Sequence, residues 1–348
     1  MKTVEIAGHP IGFGHPCFVI AEAGVNHNGD LDMALRLVDA AAEAGANAVK
    51  FQTFSADRLV TRQAAKATYQ KQTTGAQESQ YAMLKRLELS LSDHERLLAH
   101  AQTRDITFLS TPFDRASANL LFQLGLPAIK IGSGELTNLP LLEHVARRKK
   151  PIILSTGMAY LSEVEEAVRC IQACSDAPLI LLHCVSNYPA READINLRAM
   201  LTMNQAFGLP VGYSDHTLGI AVPIAAVALG ACVIEKHFTL DRSLPGPDHR
   251  ASLEPDGLHT MVQAIRDVEA ALGDGLKRPA AGELETSRVA RKSIVSQVGI
   301  PTGTRISAEM LTIKRPGTGI PPRDLARVIG RTARVTIPAD AVIGWEMI

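Results

Sequence analysis

A parallel (β/α)8 barrel followed by a small β-rich module is the fold class that this sequence predicts, on three observations. First, eight short runs (18–24, 48–53, 106–111, 128–133, 151–156, 179–184, 211–216 and 232–238) are almost continuously apolar, as parallel strands covered on both faces must be. Second, the segments between them carry helical spacing. Leu35, Val38 and Ala42 fall on one face of 31–46, and Ser162, Glu163 and Glu165 supply a cap and an acidic first turn to another helix. Third, eight such units in about 255 residues match the size of one closed TIM barrel. A doubly wound open sheet usually offers a Gly-rich loop after its first strand. Here that turn reads Glu22-Ala23-Gly24-Val25-Asn26-His27-Asn28-Gly29, which is not G-x-G-x-x-G, and Gly132 with Gly134 is too sparse.

Ahead of the first run, 4–13 reads as a hairpin turning at Gly8 and His9, placed to plug the barrel floor. Between the second and third runs, the polar, Gln/Thr-rich insertion 55–92 should lie over the active face and shape the substrate site. The last barrel helix, 255–272, ends at Gly273. Beyond Leu276 the pattern breaks, and short β runs at 293–298 and 333–337 follow among Gly and Pro. We divide the chain into a barrel domain (1–282), a linker (283–290) and a small module (291–348). Alone, such a module is near the lower size limit for a stable core, so it should pack on something else.

Bulk properties remove several function classes. The 36 basic and 36 acidic residues cancel, which removes the electrostatic warrant for nucleic-acid binding. Five scattered cysteines without Cys-x-x-Cys exclude a disulfide framework or zinc ribbon and read as small buried residues in a reducing compartment. The first sixteen residues lack the apolar core of a signal peptide. The uncharged stretch between Gly219 and Ile234, broken by Pro223 and Gly230, is too short to span a membrane. A soluble, cytoplasmic protein is the expectation.

Polar residues crowd the C-terminal ends of the predicted strands, where this fold places its chemistry. They are Glu22; Lys50 and Gln52; Ser110 and Thr111; Lys130 and Ser133, then Glu135; Ser155 and Thr156; His183 and Ser186; Ser214, Asp215 and His216; and Glu235, Lys236 and His237. By charge they divide into two tasks. Lys50 and Lys130, with the hydroxyls of Thr111, Ser133, Ser155 and Ser214, suit phosphate and carboxylate oxygens. His216 and His237 end neighbouring strands and form a metal-binding half, with Glu22 and Glu235 as nearby carboxylates. For Glu235 an ion pair with a lysine and a direct catalytic role both stand. Asp215 is expected to orient an imidazole. An anion pocket joined to a divalent metal suggests an aldol-type condensation on a phosphorylated substrate.

Together, Ile20–Gly29, Lys50-Phe51-Gln52, Ser110-Thr111-Pro112-Phe113, Lys130–Glu135, Ser155-Thr156-Gly157-Met158, Ser214-Asp215-His216-Thr217, Glu235–Leu240, Pro245–His249 and Lys314–Gly319 resemble the N-acetylneuraminate (sialic acid) synthase family along nearly the whole chain. The resemblance implies a barrel followed by an antifreeze-like (SAF) domain, in a domain-swapped homodimer whose small domains cap the partner's site. It implies condensation of phosphoenolpyruvate with an N-acetylated mannosamine, and Mn2+ or Mg2+ on His216 and His237. Lys50, Thr111, Lys130, Ser133, Ser155 and Ser214 would hold phosphoenolpyruvate. Glu22, Gln52, Glu135, Tyr188 and Asp248 would face the sugar or the intermediate, and Arg315 would reach the sugar in the other subunit. Ser186 stands where some members have an asparagine on phosphoenolpyruvate, with Asn187 beside it. N-acetylmannosamine is the expected acceptor. The alternatives are a legionaminic or pseudaminic acid synthase taking a 2,4-diacetamido-2,4,6-trideoxyhexose, discriminated by residues around Tyr69–Tyr81, and, remotely, a non-catalytic carbohydrate-binding barrel.

Overall fold

The structure, a computed structural model, describes residues 2–75 and 77–348; the side chains of Thr68, Tyr69 and Gln72 lie outside the description. Two compact units divide the chain, 1–273 and 274–348.

In the first unit, the eight apolar runs form β3 (Phe18–Gly24), β4 (Ala48–Thr53), β5 (Thr107–Pro112), β6 (Ile129–Ile131), β7 (Ile152–Ser155), β8 (Leu179–Cys184), β9 (Val211–Asp215) and β10 (Val233–His237). They make one 8-stranded parallel sheet in the order β5-β4-β3-β10-β9-β8-β7-β6, and packing of β5 on β6 closes the TIM barrel. Each of these strands is followed by a helix, so the expected β/α alternation is met. Helices seal the outer face, where Val19, Ala21, Val49, Phe51, Leu154, Leu181 and Ile234 pack against residues such as Leu37, Leu97, Val145 and Ile171.

Strands β1 (Val4–Ile6) and β2 (His9–Ile11) pair antiparallel as the expected hairpin, turning at Ala7 and Gly8. Both turn residues have positive φ (50° and 80°), the geometry of a tight two-residue hairpin. The hairpin's Val4, Ile6 and Ile11 pack into Phe18, Ile20, Ala48, Leu109, Ala128, Ile153, Ile180, Leu182 and Val233, which are the inward residues of the strands' lower halves. The barrel floor is therefore apolar and filled. At the other end, the insertion sets Met83 and Leu87 against Val25 and Phe54. Those two residues follow β3 and β4, so the insertion sits at the C-terminal face, as expected.

The second unit has its own core, built on Ile294, Ile300, Ile306, Leu311, Ile320, Val328, Ile337 and Ile343. Its strands β11 (Ser293–Ser296) and β12 (Leu311–Lys314) pair antiparallel. The run at 333–337 forms no strand of its own; Ile337 makes a bridge with Ile300. Residues 283–290, expected as linker, form the helix Glu283–Ala290 within this unit, tied by a hydrogen bond from the Gly317 amide to the Arg288 carbonyl (2.8 Å). All five cysteines are free, and Cys170 and Cys174 are only half-buried, unlike the other three. Among the described residues, no helix is long and apolar enough to cross a membrane.

Ile11 is fully buried in the floor. Ile11→Ala should lower unfolding stability by about 2–5 kcal/mol, measured by urea denaturation. A loss below about 1 kcal/mol would show that the hairpin does not fill the barrel.

Candidate active site

Strand alternation sorts the polar residues of the barrel rim into two sets. Above the apolar floor, Glu22, Lys50, Gln52, Thr111, Lys130, Ser155, Ser214, Glu235 and His237 face inward on the same strands as Ile20, Ala48, Leu109, Ala128, Ile153 and Val233. Ser110, Thr156, His183, Asp215 and Lys236 face the helix layer instead. Ser110 shares a hydrogen-bond chain with Thr53 and His94, Thr156 donates to the Leu182 carbonyl, and the His183 Nε2 lies 2.6 Å from the Ile195 carbonyl. These five are structural polar groups and not part of the pocket, a correction to the strand-end reading.

Four charges meet inside the barrel. Lys50 Nζ lies 2.6 Å from Glu22 Oε2, 3.6 Å from Glu235 Oε2 and 3.0 Å from Thr111 Oγ1. Lys130 Nζ lies 3.7 Å from Glu235 Oε1 and donates to Ser155 Oγ at 2.7 Å. Ser214 donates to Glu235 Oε1 (2.9 Å), and Gln52 reaches Glu22 Oε1 (3.4 Å). Glu235 thus bridges the two lysines, in keeping with the ion-pair reading. Burial raises the Glu22 carboxyl well above the carboxylate range, beyond what Lys50 reverses. Burial also acts on Glu235, but Lys130 and Lys50 outweigh it and hold that group low. Burial and pairing thus push the two carboxyls in opposite directions, Glu22 up and Glu235 down.

Beside Lys130, a small cradle forms around Gly157. Its amide donates to Ser133 Oγ (2.9 Å), and a Cβ there would lie 2.3 Å from Ser186 Oγ and 2.7 Å from Cys184 Sγ. Only glycine allows Ser133, Ser186 and Cys184 this approach. Sequence reasoning passed over Cys184, although its position two residues beyond inward Leu182 marks it as inward.

The two histidines stand together at the rim, ring centroids 5.4 Å apart, with the half-buried Tyr188 ring 4.1 Å from His216 and 5.5 Å from His237. The His216 Nδ1 lies 2.7 Å from the Val185 carbonyl, which can only accept, so Nδ1 carries the proton and Nε2 keeps a free lone pair. The backbone carbonyl, and not Asp215, orients this ring. His237 Nδ1 is buried without a hydrogen-bond partner among the described residues. Burial lowers both imidazoles below their usual range, keeping them in the neutral form that ligates metals. A Cβ on Gly24 would lie 3.4 Å from His237 Cε1, 3.4 Å from Glu22 Oε1 and 3.5 Å from Gln52 Nε2, so the imidazole half adjoins the charge cluster. Among the described residues no third His, Cys, Asp or Glu side chain converges with them into a three-ligand cluster. The pair fits an open divalent-cation site completed by water or substrate oxygens.

Asp248 is buried, its Oδ1 without a partner among the described groups, and burial alone raises its carboxyl to about 7. Glu135 accepts from Asn138 Nδ2 (2.6 Å) and is not joined to the charge cluster. Arg315 is exposed in the second unit, after β12.

The fold is a TIM barrel with a desolvated lysine–glutamate cluster beside paired neutral imidazoles at its C-terminal face, where barrels of this kind carry their sites. The NeuB family pattern matches residues 37–277, and the SAF domain pattern matches 291–348. The chain belongs to the NeuB family, whose members include sialic, legionaminic and pseudaminic acid synthases. It is 51% identical to the N,N'-diacetyllegionaminic acid synthase of Legionella pneumophila over 97% of this chain and 96% of that one. The enzyme of the same name from Campylobacter jejuni is 49% identical over 93% of this chain and 98% of its own length. Among solved structures, the N-acetylneuraminic acid synthetase of Leptospira borgpetersenii superposes with a TM-score of 0.73 at 39% identity, over 82% of this chain and 95% of that one.

Asp248 gives a pH signature. Its carboxyl, near 4 in the unfolded chain and about 7 when folded, favours the fold below pH 4, and this contribution is lost as pH rises toward and through 7. Between pH 5 and 8 the unmodified protein should lose about 2–3 kcal/mol relative to Asp248→Asn, read from urea melts at each pH. Parallel pH profiles would count against the buried acid.

Proposed function

We propose that this protein is a nonulosonic acid synthase that condenses phosphoenolpyruvate with 2,4-diacetamido-2,4,6-trideoxymannose, releasing N,N'-diacetyllegionaminic acid and phosphate. The observation that carries the acceptor is full-length identity near one half to two legionaminic acid synthases, against 39% to a sialic acid synthetase. The expected acceptor, N-acetylmannosamine, gives way to the 2,4-diacetamido sugar.

Lys50 and Lys130, with Thr111, Ser155 and Ser214, hold the carboxylate and phosphate of phosphoenolpyruvate, and the Ser133 and Ser186 hydroxyls provide further donors. An incoming polyanion is tolerated beside Glu235 because Glu22 takes up a proton near neutrality. C3 of phosphoenolpyruvate attacks the aldehyde carbon to form the carbon–carbon bond; water adds at C2, and the C2–O bond breaks to free phosphate. When bound on His216 and His237, Mn2+ or Mg2+ would polarise the aldehyde oxygen. Gln52, Tyr188 and Asp248 border the acceptor, and Glu22 and Glu135 are the candidates for proton handling. Arg315, exposed on the small domain, would reach the acceptor in the partner subunit of a domain-swapped homodimer.

Phosphate release should be fastest with the 2,4-diacetamido sugar, slower with N-acetylmannosamine, and abolished by chelator. Preference for N-acetylmannosamine would overturn the acceptor assignment, and no release with any sugar would overturn the reaction. Lys130→Ala should raise the KM for phosphoenolpyruvate roughly 10–100-fold, the loss of one charge-assisted contact. An unchanged KM would remove Lys130 from the pocket. Mixing inactive His216→Ala with inactive Arg315→Ala should restore part of the activity through hybrid dimers; no recovery after subunit exchange would rule out the shared site.

A further inference from the structure

Directly behind the two histidines, on the opposite face of the same strands, lies an ion pair that the proposed chemistry does not use. Lys236 donates to Asp215 Oδ2 and to the Thr217 carbonyl, with side chains 1% and 0% exposed for Lys236 and Asp215. Asp215 Oδ1 accepts from the Tyr213 hydroxyl (2.9 Å), the Thr217 amide (3.0 Å) and the Thr217 hydroxyl (2.9 Å). Asp215 and Lys236 are also direct partners in the β9–β10 ladder. Each immediately precedes a histidine: Asp215 comes before His216, and Lys236 before His237.

Burying two opposite charges under a helix layer is not needed for packing, because apolar side chains of similar volume fill such a space as well or better. What the pair adds is direction. It bolts the ends of β9 and β10 together one residue before each imidazole leaves the ladder. The Lys236 ammonium reaches past His216 to the carbonyl of Thr217, so the backbone on both sides of that histidine is held. The ring itself is held separately by the Val185 carbonyl, and the His216 carbonyl accepts from the Ala190 amide (2.8 Å). Among the described residues His237 has no such partner on its Nδ1, so its position depends more heavily on the strand beneath it.

We propose that the buried Asp215–Lys236 pair, with Tyr213 and Thr217, is a positioning device that fixes the strand ends carrying His216 and His237, and so sets the separation of the two imidazoles and the affinity and geometry of the divalent-cation site. The inference rests on the reading of these two histidines as cation ligands. Asp215 and Lys236 touch neither cation nor substrate; they act through the strand ends.

The test is Mn2+ binding to the full-length protein by calorimetry, with the electron paramagnetic resonance spectrum of the bound ion as a second readout. The variants are Asp215→Leu with Lys236→Met, Tyr213→Phe, Thr217→Val and His216→Ala, each checked for folding by circular dichroism and thermal melting. Removing both charges together leaves no unpaired ion. The double variant, folded, should bind Mn2+ roughly 10–100-fold more weakly, with an altered spectrum. Tyr213→Phe, which keeps the ring and loses only one hydrogen bond to Asp215, should weaken binding less and in the same direction. A folded double variant with unchanged affinity and spectrum would overturn the inference. Should the double variant fail to fold, unchanged binding in both Tyr213→Phe and Thr217→Val overturns it instead. Unmodified protein that does not bind Mn2+, or His216→Ala that binds it equally well, would remove the cation reading itself and this inference with it.

Discussion

Four charges held inside an apolar barrel constrain the rest of the structure. Lys50, Lys130, Glu22 and Glu235 stand nearly dry above a filled floor, and none could be kept there alone. Their mutual pairing sets what surrounds them: hydroxyls from Thr111, Ser155 and Ser214 take the remaining donor and acceptor capacity, and the floor below stays strictly apolar. The cluster is balanced as it stands, so an anion entering it must find its compensation within it. Of its two carboxyls, Glu22 is the one that burial raises.

The floor makes that arrangement affordable. The hairpin at the N-terminus contributes Val4, Ile6 and Ile11 from below, and with the strands' lower halves it excludes water from under the lysines. At the other end the insertion packs Met83 and Leu87 onto the loops after β3 and β4, and its Thr73 hydroxyl donates to the Pro247 carbonyl (3.4 Å) beside Asp248. Buried Lys66 ties the same insertion together through Glu78, which also pairs with Arg86. The cavity is thus closed below by hydrophobic packing and shaped above by a polar, internally braced loop.

A single geometric rule, the two-residue alternation of a strand, decides the fate of every polar residue at the rim. Lys50 and Gln52 face the cavity, while Thr53 faces the helices with Ser110 and His94. Glu235 and His237 face inward, while Lys236 between them faces outward. The outward set finds hydrogen-bond partners, as buried polar groups generally must, whereas the inward His237 Nδ1 has none among the described residues.

The sequence by itself determined the barrel, because eight continuous apolar runs with helical segments between them have few other ways to bury both faces. It also determined the hairpin plug, the separate small module, and the lysines, hydroxyls and histidines of the rim, which strand-end position alone exposes. Tertiary structure decided what depends on distance across the barrel. Glu235 bridges both lysines because strands remote in sequence converge on one axis. His216 takes its tautomer from a backbone carbonyl on the neighbouring strand's loop, and Asp215 turns away to Lys236. Residues 283–290 read as linker because their polar surface carries no apolar stripe, yet they form a helix held by the fold of the small unit. Local pattern specifies which residues reach the rim; only the closed sheet specifies which of them meet, because pairing is set by register between strands and not by order along the chain.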